Sequence, residues 1–181
     1  MKKVSFKVIL VLMLFTLSSI KVIAQTAVCA SDISPTTDSE EFTILDSGNV
    51  WHIPSNLVFM RCSIGQTFDG TTCTGESRSL SWQQALVSSI QVNIDSTANL
   101  PSWRLPNIKE LAVISERACV RPAINEEVFP NTPPDAFWTS TPSVKTTDMA
   151  WSITYTNASQ SLLPTNSSLF VRLVRSRLAT E

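Results

Sequence analysis

Four cysteines, Cys29, Cys62, Cys73 and Cys119, limit the folds open to this chain more than any other feature of its sequence. An even number of cysteines in an exported protein indicates disulfides, and four cysteines allow three pairings. The segment CSIGQTFDGTTC carries two glycines that suit a tight loop, which favours a Cys62–Cys73 bond. The remaining pair, Cys29–Cys119, then ties the start of the mature chain to its middle. Neither pair has Cys-x-x-Cys spacing, which argues against a redox or zinc site.

The first 24 residues have the layout of a secretory signal peptide. A basic start at Lys2 and Lys3 is followed by an apolar run over 8–17, and Val22-Ile23-Ala24 ends on a small residue where cleavage is expected. The apolar run is shorter than the roughly 20 residues that a transmembrane helix needs. We therefore expect an exported protein with no membrane span after cleavage, located in the periplasm, at the cell surface or outside the cell.

Removal of residues 1–24 changes the charge of the chain. Four of its 14 basic residues lie in this segment and none of its 15 acidic ones, so the mature chain has a formal net charge of −5. An acidic surface repels polyanions, which argues against nucleic acid as a partner. The sequence leaves the oligomeric state open.

Composition divides the mature chain into an arm, one domain and a short tail. Residues 25–41 are polar and contain few large apolar side chains, which predicts a flexible N-terminal arm. The domain then occupies 42–177 and the tail 178–181. Within the domain, turn residues separate three short runs rich in β-branched and aromatic residues, which predicts a meander of strands. These runs are FTIL, NVWHI and LVFMRC.

The segment SLSWQQALVSSIQVNI predicts the first helix. Ser81 and Gln84 have the spacing of a capping box. Apolar residues recur along the segment at helical spacing, which predicts a core-facing side. These residues are Trp82, Ala85, Leu86 and Ile90.

A second helix is predicted to begin inside the stretch WRLPNIKEL. Pro106 restricts the backbone before the helix, Asn107 has the chemistry of an N-cap, and Glu110 lies in the first turn, where the helix dipole favours an acid. Arg104 is expected to be partly buried and to pair with carbonyls or with Glu110. Trp103 is expected in the core. Each residue therefore has a local structural role, and the stretch is interpreted as a fold signature rather than a site.

The last third of the chain begins with a proline-rich, irregular segment from Val120 onward. Three strand-like runs follow it, FWTST, MAWSITYT and LFVRLVRS. The last run has apolar residues in both of its alternating sets. This pattern predicts a central strand with both faces covered.

Candidate catalytic groups are few. The single histidine, His52, lies in a predicted strand, and no Gly-x-Ser-x-Gly sequence occurs. The neighbouring acids at 40–41 and 126–127 point to different sides of any regular element, so they make poor acid–base partners. No EF-hand sequence is present, although calcium bound by scattered loop oxygens stays open. The sequence therefore predicts a protein that is not an enzyme and has no cofactor, with calcium as the one ion left open.

Five tryptophans in one small domain suggest either core packing or a platform on which a sugar ring stacks. Trp138 follows the proline-rich segment and Trp151 lies near Asp148, so these two are the better binding candidates. Long loops on a rigid scaffold are where recognition tends to occur. The predicted ligand-binding residues are Asp135, Trp138, Lys145, Asp148 and Trp151.

Several motifs together give the chain a family resemblance. They are MRCSIGQTFDGTTCTGES, WRLPNIKEL, AINEEVFPNTPPDAFWTSTP, AWSI and FVRLVR. The chain resembles, over residues 42–175, the Lcl C-terminal domain family, a domain of unknown function named after a Legionella collagen-like adhesin. Arg-Leu-Pro before a helix and the closing RLVR are also similar to C-type-lectin-like and formylglycine-generating-enzyme folds. The resemblance implies an α+β, C-type-lectin-like fold. Such a fold has two helices around a small, mostly antiparallel sheet, with a long irregular segment before the last strands.

The resemblance also carries a functional expectation. It implies a secreted or surface-exposed binding module that recognises a glycan or a surface protein, as in adhesion. The alternative is a structural or assembly component of the envelope, such as a pilus-associated or matrix protein. The namesake adhesin is linked to sulfated glycosaminoglycans, but a net charge of −5 disfavours that ligand here. A local basic patch would have to come from Arg172, Arg175 and Arg177.

Overall fold

A computed structural model describes residues 26–95 and 101–179 of the chain. The predicted signal peptide and the last two residues of the predicted tail lie outside the described residues. The helices are α1 (Trp82–Asp95) and α2 (Ile108–Ala112), and a short 3-10 turn spans Ser39–Glu41. The strands are β1 (Val28–Cys29), β2 (Phe42–Ile44), β3 (Val50–His52), β4 (Leu57–Phe59), β5 (Thr67–Phe68), β6 (Cys73–Thr74), β7 (Cys119–Val120), β8 (Ala136–Pro142), β9 (Met149–Thr154), β10 (Ser159–Pro164) and β11 (Val174–Ser176).

The predicted α+β class is confirmed. The strands form a four-stranded sheet of order β11-β4-β3-β2, a three-stranded sheet of order β10-β9-β8, and the two-stranded pairs β1-β7 and β5-β6. All of these pairings are antiparallel. The predicted meander corresponds to β2, β3 and β4. Strand β10 was not predicted, because its first three residues are exposed and polar and so lack an apolar alternation.

Both predicted disulfides are confirmed. Cys62 and Cys73 close the glycine-bearing loop, with their Cα atoms 5.5 Å apart. Cys29 and Cys119 are bonded across the β1–β7 pair, in which they are direct partners. The second bond spans 90 residues, so it ties the start of the described chain to the segment after α2.

Two clusters of buried apolar side chains form the core. The first lies between the four-stranded sheet, the three-stranded sheet and α2, and the second involves α1 and the final segment of the chain. Among the buried members of the first are Phe42, Val50, Phe59, Leu111, Ile114, Phe129, Phe137, Ile153, Tyr155 and Val174. The second contains Val58, Leu80, Ala85, Trp103, Leu105, Trp138, Ala150, Val171 and Leu173.

The final segment is covered on both sides, as its apolar pattern predicted. Residues 171–175 are all at most 1% exposed, although only Val174–Ser176 have strand geometry. β11 pairs with β4 on one side, and on the other side Val174 exchanges two backbone hydrogen bonds of 2.9 Å with Arg104. The stretch before the second helix therefore joins the sheet edge.

Helix α1 corrects one expectation. Ile90 was placed on its core-facing side, but Ile90 is 56% exposed, whereas Ser89 is 7% exposed. Ala85 is fully buried. Each residue of a helix is rotated by about 100° about the helix axis relative to the one before it. Position 89 therefore lies on the same side of the helix as positions 82 and 85, whereas position 90 lies on a different side. A serine therefore occupies the buried position, where its hydroxyl donates to the carbonyl of Leu86.

The N-terminal arm, expected to be flexible, is attached to the domain by Glu116. This carboxylate is 3% exposed and accepts hydrogen bonds from the backbone N–H groups and hydroxyls of Thr36 and Thr37. It also accepts a 2.7 Å bond from the N–H of Ala118. Burial raises the pKa of the carboxyl, but the hydrogen bonds from Thr36, Ala118 and Thr37 outweigh it and keep the pKa below its ordinary value. The polar composition of the arm concealed this attachment.

Replacement of Glu116 by glutamine is expected to release the arm. The amide has one acceptor oxygen and turns two donors toward the N–H groups of Thr36 and Thr37, so we expect a loss of about 2 kcal/mol in unfolding free energy. Urea unfolding and amide hydrogen exchange over residues 30–37 measure this effect. Glu40→Gln is the matched control, because Glu40 is exposed. Equal exchange in both variants would contradict the role given to Glu116.

The same contact predicts a pH dependence. The folded-state pKa of Glu116 lies below its ordinary value of 4.5, so its stabilisation is complete above that pH and is lost as the pH falls through the folded pKa. Exchange of the Thr36 and Thr37 amides, corrected for the intrinsic rate, should rise as the pH falls below 4.5. Glu116→Gln should lack this step, and a step that survives in the variant would assign it to another group.

Candidate functional site

The stretch around Arg104 forms the predicted helix cap, but Arg104 itself is exposed rather than partly buried as expected. Arg104 donates two hydrogen bonds of 2.7 Å to Glu110, and Glu110 also accepts the backbone N–H of Asn107 at 2.8 Å. Asn107 in turn accepts from the N–H groups of Lys109 and Glu110, which completes the capping box. The Arg104 hydrogen bonds hold the pKa of the Glu110 carboxyl below its ordinary value, against the effect of burial. The side chains of Arg104, Asn107 and Glu110 thus supply hydrogen-bond partners to one another and to the backbone at the start of α2. Pro106, immediately before the helix cap, is buried.

Trp103 lies in the core, as expected, and is 7% exposed. The side chain of Asn93 in α1 accepts from the backbone N–H of Trp103 at 2.6 Å and donates to its carbonyl at 2.9 Å. One asparagine thus connects α1 to the chain just before α2.

Trp138 corrects the expectation of a surface-exposed aromatic. It is fully buried, and its indole N–H donates to the carbonyl of Leu80 at 2.8 Å. Trp138 belongs to the second core cluster, so its ring has no surface on which a ligand could stack. The proline-rich segment before it suggested a loop exit, but Trp138 already lies inside β8.

The other four predicted binding residues are not gathered into one site. Asp135 is exposed just before β8, where its carboxylate accepts the N–H of Ala136. Lys145 and Asp148 are exposed in the turn between β8 and β9, at the opposite end of a seven-residue strand. At about 3.4 Å per residue this separates them from Asp135 by roughly 20 Å. Trp151 is half-buried on β9, opposite Leu162.

The candidate basic patch at the end of the chain is also corrected. Arg172 is fully buried and Arg175 is 1% exposed, so neither contributes to a cationic surface. The Arg175 guanidinium lies over the ring of Trp103 at 5.2 Å. The Arg177 guanidinium lies over the ring of Trp51 at 3.9 Å. An aromatic ring offers a cation its negative face, which explains how positions in a buried strand can hold arginine.

Arg172 is the more deeply buried of Arg172 and Arg175. It donates to the carbonyls of Met60 and Arg61 and to the hydroxyl of Thr132, the last at 2.8 Å. Its guanidinium also lies 4.9 Å from the centre of the Phe129 ring. Within residues 26–95 and 101–179, no carboxylate forms a salt bridge with it. Burial lowers the pKa of the guanidinium to about 10, so it stays protonated at neutral pH.

Thr132, the hydroxyl partner of Arg172, belongs to one wall of a groove. We name it the proline groove, because Pro130, Pro133 and Pro134 line it together with Phe170. Its volume is about 880 Å³. The opposite wall comes from the segment that follows the Cys62–Cys73 loop. Its further lining residues are Thr26, Gln66, Thr72, Cys73, Thr74, Gly75, Glu76, Ser77, Glu126, Asn131 and Thr132.

Amide hydrogen bonds hold the two walls of the proline groove together. The side chain of Asn131 donates to the carbonyl of Cys73 at 2.7 Å, and Gln66 donates to the carbonyl of Asn131 at 3.1 Å. Asn131 has a left-handed backbone with φ of 52°, a conformation that asparagine tolerates better than most residues. With the disulfide on one wall and Arg172 beneath the other, the groove is largely pre-formed, as small-ligand sites usually are.

His52 lies in a hairpin rather than in a catalytic arrangement. It shares a 2.7 Å hydrogen bond with the hydroxyl of Ser55, three residues later in the turn between β3 and β4. Its other ring nitrogen lies 3.9 Å from the carboxylate of Glu41. Burial lowers the pKa of His52, and Glu41 acts in the opposite direction. The ring packs 4.9 Å from that of Phe42, so the histidine stabilises the edge of the four-stranded sheet.

Two further properties concern only the part of the chain that the structure describes. There, no three side chains of the metal-binding types come close enough together to hold an ion. No helix in the same residues has the length and apolar character needed to cross a bilayer.

Replacement of Arg172 by methionine tests how much the fold depends on it. The variant keeps the length of the side chain but leaves the carbonyls of Met60 and Arg61 without their donor, so we expect a loss of about 3 kcal/mol in unfolding free energy. Urea unfolding gives this value, and Arg117→Lys at an exposed position is the control. A loss below about 1 kcal/mol would show that the enclosed charge contributes little.

Comparisons with known proteins show which family the chain belongs to. A comparison with curated proteins finds no match, and neither does one with solved structures. A comparison with family models matches residues 45–175 to the Lcl C-terminal domain. The match includes both helices, the Cys62–Cys73 loop, the proline groove wall at 130–134 and the buried Arg172. Because it spans more than half of the chain, the protein belongs to the Lcl C-terminal domain family.

Proposed function

We propose that this protein is an exported, non-catalytic binding module that recognises a glycan or a protein on a surface. Its loops are arranged on a disulfide-pinned scaffold in a C-type-lectin-like manner. The proline groove is the observation that supports this function. It is about 880 Å³ in volume and is bounded by segments that hydrogen bonds and a disulfide hold in place.

The lining of the proline groove indicates what it can bind. Phe170 and the three prolines offer apolar surface, which the CH-rich face of a sugar or an apolar side chain can cover. Hydroxyls and amides around them offer hydrogen bonds. The charged groups in the lining are the carboxylates of Glu76 and Glu126, with no lysine or arginine among the lining residues. This charge favours a neutral or basic ligand over a sulfated polyanion.

The predicted binding residues divide between two surfaces in this proposal. Asp135 directly follows Pro134 and borders the proline groove. Lys145, Asp148 and Trp151 lie toward the far end of the β8–β9 hairpin and form a separate candidate contact surface. Trp138 takes part in neither, because it is buried.

One observation favours the alternative of a structural or assembly component of the envelope. Helix α1 exposes three apolar side chains on its solvent side, at Val87, Ile90 and Ile94. Exposed apolar surface of this kind marks contact sites between proteins. An assembly role would use this helix and would leave the proline groove without a ligand.

A binding screen of the oxidised chain from residue 25 to 181 tests the proposed function. The probes are a glycan array and a panel of immobilised surface proteins, each with and without calcium and at two salt concentrations. Glu76→Arg reverses a charge in the lining of the groove, and we expect it to weaken binding at least about tenfold, or 1.4 kcal/mol. Asp32→Arg makes the same charge change at an exposed position outside the groove lining and should leave binding intact.

The outcomes separate the surfaces. Saturable binding that Glu76→Arg weakens supports the proline groove. Binding lost only in Lys145→Ala or Asp148→Ala assigns recognition to the β8–β9 turn instead. Binding that requires calcium would support a loop-bound ion. Folded protein that binds no probe contradicts the proposed function and favours the assembly role.

A further inference from the structure

Helix α1 has two apolar sides, and the core covers only one of them. The side that carries Ala85 and Ser89 packs inward, with Trp82, Leu86 and Val92 partly buried beside it. The opposite side carries the three residues named above, Val87 at 51%, Ile90 at 56% and Ile94 at 70% exposure. Other large apolar side chains are also exposed, among them Val28, Ile33 and Val144, but these three share one side of one helix. Such clustering calls for a physical explanation.

The spacing of these residues matches what a second helix requires. Gln83, Val87, Ile90 and Ile94 follow one another at intervals of four, three and four residues. This is the a/d spacing of a heptad, which places all four on one narrow stripe of the helix surface. Side chains at such positions can insert between those of a facing helix. We name this stripe the α1 seam.

The chemistry along the α1 seam permits two copies of the same helix to face each other. Gln84 and Gln91 flank it, both exposed and uncharged. The helix contains no lysine, arginine or glutamate, and its one ionisable residue is Asp95 at the last position. Two acidic copies of the chain therefore meet here without like charges along the seam. Valine and isoleucine also have few rotamers, so little side-chain entropy is lost on contact.

We propose that the α1 seam is a self-association surface, in which α1 of one copy packs against α1 of a second copy. This inference goes beyond the proposed function and does not depend on it. Three apolar side chains per copy make a small interface, so the dissociation constant should be weak, on the order of 10⁻⁵ to 10⁻⁴ M. Where the groove binds a ligand as proposed above, such pairing would in addition present two proline grooves together and increase avidity.

Other occupants fit the seam less well. An anionic membrane is attracted by lysine and arginine beside the apolar stripe, and α1 has neither. A partner with a charged helix would find no counter-charge along the seam. A second copy is the partner whose seam has the same spacing and the same absence of charge.

Sedimentation velocity of the oxidised chain from residue 25 to 181 tests the proposal, at concentrations from about 5 to about 300 µM. The weight-average mass should rise toward that of a dimer and should respond little to salt. Ile90→Lys should keep the protein monomeric over the whole range, a shift of at least tenfold in dissociation constant. Because Ile90 is exposed, the variant should keep the thermal unfolding midpoint of the parent.

The matched control is Val144→Lys, which makes the same kind of change at a 97% exposed residue in the β8–β9 turn. It should associate like the parent. A parent chain that stays monomeric at all concentrations, or a dimer that Ile90→Lys does not affect, would overturn the proposal. Binding to neutral phosphatidylcholine vesicles by a monomeric parent, abolished by Ile90→Lys, would also count against it. The binding screen described above measures ligand binding independently of self-association. Failure of one proposal therefore leaves the other testable.

Discussion

The guanidinium of Arg172 is the contact on which much of this fold depends. A buried cation is normally costly, and here its charge is balanced by carbonyl dipoles, a hydroxyl and aromatic faces rather than by an acid. The carbonyls belong to Met60 and Arg61, just before the Cys62–Cys73 loop, and the hydroxyl belongs to Thr132 in the proline-rich segment. One side chain therefore holds together three parts of the chain that are far apart in sequence, and the core packs around it.

Side-chain hydrogen bonds from Arg172, Asn131 and Gln66 position the two walls of the proline groove. The irregular segment 125–134 belongs to no helix or sheet, so its shape must be set by other contacts. Thr132 is positioned by Arg172, and Asn131 by its contacts with Cys73 and Gln66. Side-chain hydrogen bonds thus replace secondary structure as the determinant of loop shape. A pre-formed groove loses less entropy on binding than a mobile loop would.

Local chemistry made part of this structure predictable. The Asn107 cap, the Ser81–Gln84 box and the Cys62–Cys73 loop depend on residues at most 11 positions apart, and all three formed as expected. The features that the sequence did not predict depend instead on contacts between residues far apart in the chain. Trp138, the arginines of the last strand and the attachment of Glu116 to the arm depend on partners roughly 40 to 110 residues away, which no local pattern encodes. The proline groove was missed for the same reason, because its walls meet only in the folded chain.

The attachment of the arm has a consequence for where the chain enters the domain. The Cys29–Cys119 bond and Glu116 hold the arm against the segment after α2, and Thr26, the first described residue, is part of the lining of the proline groove. The described part of the chain therefore begins beside the groove. A purification tag or linker fused directly to Thr26 would start at the groove lining, whereas a fusion at the C-terminal end would follow β11 and the four-stranded sheet.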